Sequence, residues 1–302
     1  MLLQQLINGL TLGAVYALIA LGYTMVYGIL GLINFAHGEI YMIGAYLGII
    51  FLGLLTAMGI TSQHLILSLL VVFLATAVYC GAYGFTLERV AYRPLRQAHR
   101  LAPLISAIGM SIFLQNYVML TQGSVDKVFP HDVLPAGGIM LGESTPISYI
   151  QILILSTSVL LMVALHLFVA KTRLGKAIRA TAQDSRMASL VGININGVIA
   201  TTFVIGSILA AAAGIMVAMY YGVVNFFIGY VAGIKAFTAA VLGGIGNIPG
   251  AMLGGILLGL VESLGSSYIS SEYKDLYSFV ILILVLIFRP TGLLGERVAE
   301  KV

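Results

Sequence analysis

Five ionisable side chains, His37, Glu39, His166, Lys235 and Glu262, fall inside or against long apolar stretches. A charge near the middle of a bilayer costs about 2.5–3.5 kcal/mol on insertion scales, so such residues mark function or internal pairing. His37 and Glu39 flank Gly38 in Gly31-Leu32-Ile33-Asn34-Phe35-Ala36-His37-Gly38-Glu39. Two readings stand open: both side chains line a cavity, or Glu39 caps a helix start. Lys235 is expected to snorkel toward headgroups, Glu262 to pair within the protein, and His166 to be structural. No His, Cys or carboxylate set has metal-ligand spacing. No Gly-x-Ser-x-Gly elbow occurs. Gly175-Lys176 is followed by Ala177 and lacks the earlier glycine of a phosphate-cradling loop. The single cysteine, Cys80, can form no intrachain disulfide and reads as a small packing residue. Neither an enzyme nor a cofactor or metal site is expected.

The elements that position these residues follow from composition. The chain has 302 residues, 60% hydrophobic and 9% charged, with a mean hydropathy of +1.05. Soluble domains carry about 25% charged residues, so a bilayer is the expected solvent. Apolar runs occur at Leu6–Leu32, Ile40–Ile60, Leu65–Leu87, Leu101–Leu120, Tyr149–Ala170, Val198–Tyr221, Gly229–Leu242, Ala251–Leu264 and Leu276–Phe288. A spanning helix needs about 20 apolar residues. The expectation is an all-α, polytopic transmembrane bundle with about eight or nine crossings, some broken, forming one domain over residues 1–302.

Lys and Arg concentrate in three clusters: Arg89, Arg93, Arg96 and Arg100; Lys171, Arg173, Lys176, Arg179 and Arg186; and Arg289, Arg297 and Lys301. Basic loops stay cytoplasmic. The runs between the clusters let all three share that side, with the N-terminus outside and the C-terminus inside. Placement therefore matters more than the net charge of +4, and nucleic acid is not an expected partner. The start, Met1 to Gln5, carries no Lys or Arg and is expected to be mature sequence. Thr121–Ser148, with Asp126, Lys127, Pro130, His131, Asp132, Pro135 and Glu143, is too polar and turn-rich to cross; it reads as an external cap or a disordered loop. Gly31–Glu39 and Gly243–Gly250 lack Lys and Arg but hold helix breakers. They are expected to be unwound at membrane depth. Gly250, Gly254 and Gly255 suit close helix contact.

Between two runs, Lys171 to Asn194 offers a short amphipathic helix with Asp184 in its first turn, Met187, Leu190 and Val191 on one face, and Gly192 to stop it. It reads either as a plug for a partner's groove or as a headgroup anchor.

Three blocks carry a resemblance: Gly31–Glu39; Thr172-Arg173-Leu174-Gly175-Lys176 running to Gly192-Ile193-Asn194; and Ala240-Val241-Leu242-Gly243-Gly244-Ile245-Gly246-Asn247-Ile248-Pro249-Gly250. With them the chain resembles the permease subunits of ATP-binding-cassette importers for branched-chain amino acids, related to ribose and urea permeases. That resemblance implies a cytoplasmic segment of about 172–194 seated on an ATPase, with Ala180, Asp184, Met187, Ala188, Leu190, Val191 and Gly192 in the coupling contact. It also implies the partners: a second permease subunit, two ATP-binding subunits and a periplasmic substrate-binding protein, in a bacterial inner membrane. Asn34, His37, Glu39, Asn116, Asn225 and Asn247 are the residues expected along a path. Permeation of urea, amides or ribose, or ion-coupled secondary transport, are the alternatives.

Overall fold

The computed structural model describes residues 2–99, 101–130, 134–135, 137–141 and 145–295. Arg100, His131, Asp132, Glu143, Arg297 and Lys301, named above, lie outside the described residues. The chain folds as a polytopic helical bundle: α1 (Leu2–Leu30), α2 (His37–Ala57), α3 (Leu65–Leu87), α4 (Leu101–Gln122), α5 (Tyr149–Lys171), α6 (Arg173–Gln183), α7 (Ser185–Leu190), α8 (Ile195–Tyr221), α9 (Ile228–Gly243), α10 (Ile248–Tyr268) and α11 (Lys274–Phe288). Every apolar run seen in the sequence is a helix. Among the described residues, seven helices are long and apolar enough to cross a membrane. At about 1.5 Å per residue, the 16 residues of α9 and the 15 of α11 fall short of the about 30 Å hydrocarbon core.

Local chemistry sets the helix ends. Ser148 and Gln151 form a reciprocal capping box at the start of α5. Asn194 and Asn247 accept from the amides of Gly197 and Gly250 at the starts of α8 and α10. The long connection between α4 and α5 takes part in two short ladders where described. β1 (Lys127–Val128) pairs antiparallel with β4 (Val223–Val224), and β2 (Gly138–Leu141) with β3 (Thr145–Ser148).

The core is built on α1, whose most apolar window is 83% buried, against 22% for α4. In lipid the drive to associate is close packing rather than water exclusion. Glycine supplies it here. A Cβ on Gly259 of α10 would lie 2.2 Å from the Gly13 nitrogen of α1, and one on Gly255 would lie 2.4 Å from the Ala17 Cα.

The three basic segments gather at one end of the bundle. Arg96, ion-paired with Glu88, also reaches the Asn196 Oδ1 at 2.8 Å, tying the first segment to the start of α8. Burial, opposed by the Glu88 carboxylate, holds the Arg96 guanidinium below its usual range. The described tail closes the same end: Leu293 and Leu294 donate to the carbonyls of Leu242 and Gly243, and the Asn247 side chain donates to Leu294.

Candidate functional site

Helix α1 ends at Leu30, and Gly31 turns left-handed at φ 63°, a conformation that suits glycine. The chain then doubles back. A Cβ on Gly22, deep in α1, would lie 2.2 Å from the His37 Nε2, and the Gly206 Cβ position in mid-α8 lies 3.6 Å from the same ring. Helix α2 thus starts at the level of the middles of α1 and α8. The break opens inside the bundle, as expected of it. Its polar groups are buried and partly bonded: Asn34 accepts from the Tyr92 hydroxyl at 2.8 Å and Glu39 accepts from Ser111 at 3.0 Å through Oε1, while the Glu39 Oε2 and the His37 Nε2 meet no hydrogen-bond partner among the described residues. His37 packs its ring edge-on to Tyr23 at 4.9 Å. Tyr92 reaches Asn34 from a π-helical turn, Glu88–Tyr92, that extends α3.

A second break of the same build follows α8. Gly222 turns left-handed at φ 73°, and α9 starts at Ile228. The residues repeat: Gly31-Leu32-Ile33-Asn34-Phe35-Ala36-His37-Gly38 is matched by Gly222-Val223-Val224-Asn225-Phe226-Phe227-Ile228-Gly229. So do the backbone bonds. Gly31 N donates to Tyr27 O and Gly222 N to Ala218 O; His37 N donates to Asn34 O and Ile228 N to Asn225 O. The two helix starts also touch each other reciprocally. A Cβ on Gly38 would lie 2.3 Å from the Gly229 oxygen, and one on Gly229 would lie 2.8 Å from the Gly38 oxygen. Since α1 and α8 run in opposite directions relative to the basic end, the two units have inverted topology. The octad was readable in the sequence. Its second copy escaped notice because apolar residues dominate it.

By contrast, Gly243–Gly250 is a tight turn between α9 and α10 at the basic end. Its neighbours are Gly28, near the end of α1, and Leu294 and Gly295 of the tail.

Lys235 corrects the expectation of snorkelling. Its side chain is 7% exposed and lies 3.0 Å from Glu262 and 2.6 Å from Asp275. Lys274 reaches Glu262 at 3.2 Å and the Tyr221 hydroxyl at 3.1 Å, and Tyr16 donates to Glu262 at 2.9 Å. The reason is nonlocal: α10 and α11 bring carboxylates to Lys235, and inside the bundle a paired ammonium needs no headgroup. Glu262 pairs within the protein, as expected of it.

At the basic end, Asp184 caps α7, accepting from the amides of Arg186 and Met187. Gly192, at φ 87°, ends it, with Ile193 N returning to Ala188 O. Met187, Leu190 and Val191 are 62%, 81% and 77% exposed. Ala188 is buried against its own chain, and Ala180 is half-buried.

The residues expected along a path divide among several places. Asn34, His37 and Glu39 share the first break. Asn225 accepts from Phe227 N in the second break and lines a cavity with Lys235 and Lys274. Asn247 lines another cavity at the basic end, with His166 and Arg179. Asn116 is exposed on α4 and donates to the Ile112 carbonyl of its own helix.

The branched-chain amino acid transport system permease component model matches residues 5–286. The chain is 58% identical to the high-affinity branched-chain amino acid transport system permease protein BraD of Pseudomonas aeruginosa, across 99% of this chain and 98% of that one. It is 55% identical to LivH of Escherichia coli K12, a permease protein of the same description, across 99% and 97%. It is 28% identical to the probable branched-chain amino acid transport permease LivH of Methanocaldococcus jannaschii, across 92% and 88%. The chain belongs to the family of branched-chain amino acid transport permease components.

Proposed function

We propose that this chain is a permease subunit of an ATP-binding-cassette importer. It carries branched-chain or similar neutral amino acids, received from a periplasmic binding protein, across a bacterial inner membrane. The observation that carries this reading is the likeness to BraD over nearly the whole of both chains. A second permease subunit and two ATP-binding subunits complete the assembly, and hydrolysis takes place in those subunits. The basic end faces the cytoplasm, because Arg96, Arg179 and Arg289 belong to segments rich in cations, and the N-terminus faces out. The apolar side chains of Met187, Leu190 and Val191 seat in the ATPase and transmit its motion. Their exposure in the isolated chain, on a rigidly capped helix, supports that role.

The test is import of labelled leucine, isoleucine and valine into proteoliposomes holding the full assembly. ATP-dependent uptake of these, and not of urea or ribose, is expected. A parent assembly that imports none of the three sinks the proposal. In the same assay Leu190→Glu is expected to lower ATP-driven uptake at least tenfold, since a charge in a desolvated apolar contact costs several kcal/mol. Val125→Lys, in the external connection, serves as the control. A Leu190→Glu assembly that transports like the parent reduces α7 to a headgroup anchor.

A further inference from the structure

Lys235, buried, and the more exposed Lys274 and Asp275 line a cavity of about 300 Å³, away from the basic end, with Glu262 behind them. The rest of the lining includes an apolar and aromatic surface from Leu12, Val217, Val231 and Tyr41. The first turn of α9 lies at its edge through Ile228, adding a helix start whose dipole favours an anion. A buried ion pair is a poor way to gain stability, since apolar residues of the same volume serve as well or better. The cluster thus calls for another use.

We propose that this cavity is a subsite for a zwitterionic, neutral amino acid, its carboxylate against Lys235 and Lys274, its ammonium on Asp275, and its side chain on the apolar wall. The inference rests on the importer reading above and names how this chain itself would recognise its cargo. Lys235 has two carboxylate partners, one buried and one not: Glu262 is fully buried, whereas the Asp275 side chain is 59% exposed. An entering zwitterion takes the place of the Lys235–Asp275 contact at both ends, carboxylate for Asp275 and ammonium for Lys235. Lys235 keeps Glu262 throughout, so no charge is left bare. Two ammonium groups and two carboxylates make the cluster formally neutral, which matches a neutral zwitterion. A cationic or anionic side chain would put its charge against the apolar wall, unpaired, at a cost that a leucine side chain avoids.

The test uses the permease pair with its ATPases in nanodiscs, without the binding protein, so that selection by that protein is removed. Tritiated leucine is the probe, and unlabelled lysine and glutamate compete. Asp275→Asn leaves the cluster one positive charge in excess. It is expected to weaken leucine binding at least tenfold and make glutamate the better charged competitor. Lys274→Gln leaves one negative charge in excess and is expected to make lysine the better one. Both positions are partly exposed, so the assembly is expected to form. Parent-like leucine binding in both variants overturns the inference. So does a loss of leucine binding with no change in the order of the charged competitors, which is the behaviour of a clasp between α9, α10 and α11. A parent that binds no leucine overturns it too. Leucine import by the parent in proteoliposomes is a separate result, so the importer reading can stand while the subsite falls.

Discussion

The breaks at Gly31–Gly38 and Gly222–Gly229 share residues, glycine conformations and backbone bonds, yet their side chains meet different surroundings. In the first, Asn34, His37 and Glu39 are buried, and Asn34 and Glu39 bond to Tyr92 and Ser111 on other elements. In the second, the matching positions are Asn225, Ile228 and Tyr230; among the described residues the Asn225 side chain accepts locally from Phe227 N, and Tyr230 is 52% exposed. The backbone of the break is thus duplicated and its polar chemistry is not. One copy is locked to its surroundings, while the other lies beside the cavity of Lys235 and is tied outward through the β1–β4 ladder. Discontinuous helices meeting at the interface of inverted repeats are where transporters place cargo and motion. The asymmetry gives one fixed and one freer half.

The largest effect is expected where the two copies touch. A methyl group on Gly38 meets the Gly229 backbone oxygen at 2.3 Å, and backbone cannot step aside. A methyl group on Gly229 meets the Glu39 Oε2 at 2.5 Å, on a side chain that can shift, and the Gly38 backbone oxygen at 2.8 Å, a looser clash than its counterpart. Gly38→Ala should therefore exceed the about 1–3 kcal/mol of ordinary overpacking, and Gly229→Ala, whose backbone contact is looser, should cost less. Thermal melting followed by size-exclusion chromatography in detergent checks the order. Equal melting temperatures would mean that the contact is not the rigid crossing described here.

A smaller effect, with a built-in rescue, probes the depth of the first break. Gly22→Ala places its methyl group 2.2 Å from the His37 Nε2 and 2.3 Å from its Cε1. It should cost about 1–3 kcal/mol. His37→Ala in the Gly22→Ala background removes the obstacle, and the double-mutant cycle should show a coupling of about 0.5–3 kcal/mol. Additive changes in melting would place His37 away from the middle of α1.

These contrasts show what the sequence could convey. The helices were legible because a bilayer demands long apolar runs, and every run noted became a helix. The α7 segment was legible because its stop and start are local: Asp184 caps it and Gly192 ends it. The first break announced itself through polar residues among apolar ones. The second did not, since Val223, Val224, Phe226, Phe227 and Ile228 read as more membrane; only alignment of the octads reveals it. Lys235 was misplaced for a different reason. Its partners Glu262, Asp275 and Tyr16 come from three other helices, and apolar periodicity says nothing about which helices adjoin. The crossing of Gly38 on Gly229 and the gathering of basic segments are likewise long-range facts.

The smallest expected effects separate the two asparagines. Asn34 is 2% exposed and is the acceptor for the Tyr92 hydroxyl, itself 1% exposed. Asn34→Ala strands that hydroxyl in the core at a cost of about 1–3 kcal/mol. Asn225 is only partly buried and accepts from the Phe227 amide two residues on, so its loss removes one local turn bond. Asn225→Ala should cost about 0.5 kcal/mol, the low end for a single bond. A partial rescue distinguishes a stranded hydroxyl from a general loss of packing. Tyr92→Phe in the Asn34→Ala background removes the donor along with its acceptor, and the pair should recover much of the lost stability because no buried polar group is then left without a partner. The ring contact of residue 92 with Phe203, 5.1 Å between centroids, survives that change. Melting of the double variant at or below the single Asn34→Ala would mean that Asn34 acts through the shape of the break rather than through Tyr92. Asn225→Ala melting as low as Asn34→Ala would mean that the two halves are locked alike.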